Sequence, residues 1–128
     1  MNYTEILDRV FTQVSYMLKK KYPKLNCTTK GENIGDSQFP TLYMRELQPL
    51  EVGNDLENTT INAVQCTIEI QAYVKNNETL CKQIMSEAVS EMKRFRFSVV
   101  AMPLVDTDGD VSNGVARFRR IVGSGDTL

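Results

Sequence analysis

The sequence predicts an α+β domain, with elements in the order helix, three strands, helix and a closing pair of strands (α-β-β-β-α-β-β). Three observations carry this. Apolar residues recur every second position from Asn62 to Val74. They recur every third or fourth position from Tyr3 to Leu18, and again from Cys81 to Phe95. Two further strand-like runs flank the turn-forming stretch Asp106 to Asp110.

Asn2, with Glu5 three residues on, makes a capping-box-like start to the first helix. Behind it Tyr3, Ile6, Leu7, Val10, Phe11, Val14, Met17 and Leu18 form one apolar stripe. Lys19, Lys20 and Lys21 close this helix and Pro23 ends it. The lysines read either as a phosphate-binding patch or as charges complementing a helix C-terminus, and the second reading is preferred. Leu25 to Thr29 follows as a short strand, then a polar turn region from Gly31 to Gln38. Phe39 to Leu47 reads as the second strand, with Pro40 at its start, where a missing N–H does least harm. From Gln48 to Thr59 the sequence predicts a long acidic loop, with Glu51, Asp55 and Glu57 beside Leu50, Val52 and Leu56. Such a loop is either a segment that orders on a partner or a plain connection.

The long third strand is the centre. Val64, Cys66, Ile68, Ile70, Ala72 and Val74 share its apolar face, while Gln65, Thr67, Glu69, Gln71 and Tyr73 share the other. The helix after Asn76 and Asn77 carries Cys81, Ile84, Met85, Ala88, Met92 and Phe95 on one face. Burying strand face against helix stripe contributes roughly 1.5–3 kcal/mol per large aliphatic side chain, before conformational entropy is set against it. Ser98 to Val105 and Val111 to Val122 complete the domain as a β-hairpin. Pro103 marks its strand as an edge or a bulge. In the last strand Val115, Arg117, Arg119 and Ile121 share one face, and Ala116, Phe118, Arg120 and Val122 the other. Residues 1–123 are thus expected to form a single domain, and residues 124–128 a flexible tail.

Composition sets outer limits. A chain of 128 residues with 41% hydrophobic and 24% charged residues suits one core. A net charge of −1 gives no general attraction to nucleic acid or an anionic membrane. No stretch approaches the roughly 20 apolar residues of a membrane span. The start lacks a positive-then-apolar leader pattern, so the expected place of synthesis and assembly is the cytoplasm. Cys27, Cys66 and Cys81 are expected to be reduced, two of them buried, and the sequons at Asn26, Asn58 and Asn77 then have no consequence.

Catalytic signatures are scarce. The chain has no histidine, which removes Ser–His and Cys–His nucleophile pairs and weakens any zinc site. Asp106, Asp108 and Asp110 resemble a calcium loop, but Val111 stands where its glycine belongs and Arg117 where its bidentate Glu belongs. No glycine-rich phosphate loop is present. Glu87 and Glu91 are paired at helical spacing on what reads as the solvated face. Arg94, Arg96, Arg117, Arg119 and Arg120, with Phe95, Phe97 and Phe118 among them, read either as a nucleic-acid surface or as core phenylalanines flanked by solvated or inter-subunit arginines. The second reading is preferred. The residues point to a binding or assembly module without catalytic, cofactor or metal sites.

The order of pieces resembles the tail terminator (tail completion, head-tail joining) proteins of long-tailed bacteriophages and phage-tail-like particles. The resemblance rests on an opening amphipathic helix that ends Lys19 to Pro23, and on Phe39 to Met44 opening the second strand before an acidic loop. It rests also on the strand Ile61 to Tyr73 running into a helix that closes Met92 to Phe97, and on the final strand Gly114 to Val122. It implies a mainly antiparallel sheet of about five strands with two helices packed on one face. It implies a structural, non-enzymatic virion protein, assembled in the host cytoplasm. Six copies would form a homohexameric ring on the head-proximal end of the tail tube, ending tube polymerisation and meeting the head connector. Partners would be further copies of the chain, the tube protein, neck proteins and, in a contractile particle, the sheath; membrane and direct nucleic-acid recognition are not expected. Candidate tube or subunit contacts are Leu50, Glu51, Val52, Asn54, Asp55, Leu56 and Glu57 in the loop. Candidate subunit or connector contacts at the hairpin are Asp106, Asp108, Asp110, Arg117, Arg119 and Arg120. Another neck or head-completion connector, or a small nucleic-acid-binding α+β domain, are the competing readings.

Overall fold

The alternation around Ile68 folds as one strand, β3 (Ala63–Lys75), in the middle of the sheet. The structure, a computed structural model, describes residues 6–30, 40–52 and 63–123. Before β3 come α1 (Ile6–Lys21), β1 (Asn26–Thr28) and β2 (Thr41–Val52). After it come α2 (Glu78–Arg94), β4 (Ser98–Asp108) and β5 (Val111–Gly123). The sheet runs β1-β2-β3-β5-β4, and every pairing is antiparallel except that of β1 with β2. This is the expected α+β order.

Both helices lie on one face. Ile6, Val10, Val14 and Leu18 of α1 and Cys81, Ile84, Met85, Ala88 and Met92 of α2 are buried there. α2 packs over the even-numbered residues of β3 and β5, including Ile68, Ile70 and Phe118, all fully buried, while α1 lies against α2 and β2. Gly114 allows a close approach: a Cβ there would lie 2.6 Å from Met85 Cγ and 3.3 Å from Val105 Cγ2. Lys21 Nζ, in the last turn of α1, donates to Glu87 Oε1 of α2 at 2.6 Å, so one lysine of the terminal run ties the two helices together.

Local signals account for the joints. Asn76 takes a left-handed conformation (φ 59), and Asn77 caps α2, its Oδ1 accepting from Leu80 N at 3.0 Å. The other end closes with Arg96 N donating to Lys93 O at 2.9 Å and Phe97 N to Met92 O at 3.1 Å. This is the bonding of a Schellman cap, in which the left-handed residue is usually glycine. Here it is Arg96, at φ 64. In the hairpin, Gly109 (φ 64) takes the first of two turn positions, the place a type II′ turn gives to glycine.

The hairpin turn is shorter than expected, confined to Gly109 and Asp110, because β4 runs past Val105 and takes in Asp106 and Asp108 as paired strand residues. Two further expectations need correction. β2 does not stop at Leu47: it runs on to Val52, and Leu50, Glu51 and Val52 pair with Gln65, Val64 and Ala63. The register shifts between Leu47 and Leu50, so Pro49 falls in a bulge, where its missing N–H breaks no ladder bond. Leu50, Glu51 and Val52 are therefore strand residues, while Asn54, Asp55, Leu56 and Glu57 lie outside the described residues. The second correction concerns Glu91, which is buried at 7% exposure rather than solvated; Arg94 lies 3.8 Å from it. The expected N-terminal cap at Asn2 and the tail 124–128 also fall outside the described residues.

Candidate functional site

The sheet face away from the helices is built from the odd-numbered residues of β2, β3 and β5. No described helix covers it. Its centre is polar: Glu69 stands opposite Arg45 on β2 and Arg117 on β5. Arg45 Nε donates to Glu69 Oε1 and Arg117 Nε to Glu69 Oε2, both at 2.9 Å. Gln71 Nε2 donates to Glu69 Oε1 at 2.6 Å, and the Tyr73 hydroxyl donates to Gln71 Oε1. These neighbours leave the Glu69 side chain 2% exposed. Burial pushes its pKa up, but the hydrogen bonds from Arg45, Gln71 and Arg117 outweigh that and hold it below the usual carboxylate range. A carboxylate so occupied is a fixed anion and a poor general base.

The opposite face carries a second polar group near the end of α2. Cys66 donates to Glu46 Oε1 at 3.1 Å, and Arg120 Nη1 donates to Phe95 O at 2.9 Å. Burial, reinforced by the Glu46 carboxylate, pushes the Cys66 thiol up to about 12. At neutral pH it is a protonated, unreactive thiol. Cys27, raised by burial to about 11, behaves alike. All three cysteines are free.

The hairpin residues expected to act together do not form one patch. Asp106, Asp108 and Asp110 are exposed at the turn end. Arg117 is committed to Glu69, and Arg120 is buried on the helix side at 9% exposure. Arg119 is exposed at the opposite end of the hairpin, where it pairs with Ser98. There Arg96, Ser98, Arg119, Arg120 and Ile121 line a hollow of about 380 Å³. The separation follows from strand geometry, since a strand advances about 3.3 Å per residue. Arg96, grouped in the sequence with the other arginines but not among the hairpin contacts expected, belongs to this hollow.

The edge strand adds a third surface. Val100, Met102 and Leu104 on β4 are 52%, 71% and 67% exposed. Register shifts flank Ala101, so β4 is both edge and bulged strand, as Pro103 suggested. Met102, Pro103 and Val105 also face Met85 and Val89 of α2 across a shallow, mainly apolar groove.

No protein-family model matches this chain, nor does any curated protein. The described helices include none long and apolar enough to cross a membrane.

Proposed function

We propose that this chain is a non-catalytic, ring-forming assembly protein: a tail terminator that caps the head-proximal end of a phage-type tail tube and presents a surface to the head connector. The observation that carries this reading is the β4 edge. Three large apolar side chains exposed on one outermost strand form a surface that association would cover. A ring needs heterologous contacts, one patch on each copy meeting a different patch on the next. The stretch from Leu50 to Glu57 remains the candidate for meeting the tube, now with its first three residues anchored in β2.

The test is tube capping. Purified tube protein polymerised with and without this chain should give short, uniform tubes with a ring at one end when the chain is present. Unchanged tube lengths and bare ends would refute it. A neck connector of the same particle would instead bind portal complex and leave tube growth alone. The arginine-lined hollow gives the nucleic-acid reading its one support, and that reading requires DNA or RNA affinity that falls steeply with salt.

A further inference from the structure

We infer that copies of this chain join head to tail through charge, the aspartate-bearing tip of one hairpin, with Asp106 and Asp108 at the end of β4, entering the arginine-lined hollow at the base of the next. The contact deepens the ring reading and rests on it for closure. The interaction itself rests on four side chains without an opposite charge beside them among the described residues: Asp106 and Asp108 near the turn, Arg96 and Arg119 at the base.

At the turn, Lys75 Nζ lies 3.7 Å from Asp110 Oδ2, but Asp106 and Asp108 have no basic partner among the described residues. At the base, Arg120 is bonded to the Phe95 carbonyl, while Arg96 and Arg119 have no acidic partner among the described residues. Helix α2 runs in the same sense, with Glu78 in its first turn and Lys93 and Arg94 in its last. The clusters stand about 30 Å apart along β4, several times the roughly 8 Å screening length at physiological salt. They cannot compensate one another within a copy. A second copy placed end on brings them together.

The backbone at Arg96 is a separate observation. A left-handed cap position that favours glycine holds an arginine, and that arginine lines the hollow. Edge-to-edge pairing of β4 strands is the other way to unite the charges, but Pro103 and the bulges beside Ala101 interrupt the hydrogen-bonding edge it would need.

The test is sedimentation of the full chain across concentration, for wild type, D106K/D108K, R96E/R119E and an equimolar mixture of the two variants, with circular dichroism verifying the fold. The expected result is a multi-copy species for wild type, its loss in each variant alone, and its return in the mixture, where reversed turns meet reversed hollows and native turns meet native ones. The single substitution R96G should melt no lower than wild type yet assemble at least tenfold more weakly. Variants that assemble like wild type would overturn the contact and leave the ring reading standing. A mixture of folded variants that stays monomeric would also overturn the contact, as would a species that stops at two copies. Wild type monomeric at every concentration would overturn the contact and leave the ring reading to the tube-capping test.

Discussion

Glu69 faces Arg117 directly across the β3–β5 ladder, with Glu69 Oε2 2.9 Å from Arg117 Nε and the carboxylate's other oxygen taken by Arg45. An acid in the middle of a sheet normally costs stability. Here two guanidinium groups and Gln71 supply its hydrogen bonds, and their stems cover it.

Replacing Glu69 with Gln should destabilise the fold by about 2 kcal/mol, measured by urea unfolding. The figure takes the ~1.5–3 kcal/mol range for hydrogen bonds to charged groups and discounts it because both arginines are half exposed. A loss under about 0.5 kcal/mol, the range of ordinary surface substitutions, would show that the network is ornamental.

The same carboxylate sets an acid limit. Its folded pKa lies below the ordinary 4.5, so its contribution is fully present above that pH and is lost as pH falls through the depressed folded value. Urea midpoints of wild type should therefore drop between neutral pH and the acid side of 4.5 by more than those of Glu69→Gln. Parallel pH profiles would contradict this.

Gly114→Ala should cost about 1–3 kcal/mol, the range for overpacking a core, because the new methyl meets Met85 at 2.6 Å. The cost should shrink in a Met85→Ala background, where the methyl enters vacated space. A double-mutant cycle reads this coupling, and strict additivity would mean that the strain lies elsewhere.

Cys66, with its thiol near 12 and hydrogen-bonded to Glu46, should resist alkylation at pH 8 in the folded protein and react at once in denaturant. Mass spectrometry of iodoacetamide-treated protein checks this. Rapid native labelling at Cys66 would show that this end of the sheet opens.

The elements visible in the sequence are those whose signal is local. The alternation of β3 and β5, the stripes of α1 and α2 and the proline of the edge strand each declare themselves within a dozen residues. The end of β2 did not, because Pro49 signals a break in any local reading and only the β3 register shows a bulge. The Glu69 network was hidden for a related reason: Arg45 and Arg117 lie 24 and 48 residues away and meet only through strand register. Burial of Glu91 likewise depends on what α2 packs against. The separation of the hairpin charges was legible in principle, since the strand rise alone sets Asp110 and Arg119 about 30 Å apart.

Native mass spectrometry of the wild-type chain, from roughly micromolar to a hundred times that concentration, shows whether the chain closes into a ring, because weak assembly follows mass action. The expected result is a species of six 14.5 kDa copies, about 87 kDa, growing with concentration and dissociating in high salt. A salt-insensitive dimer at every concentration would contradict it.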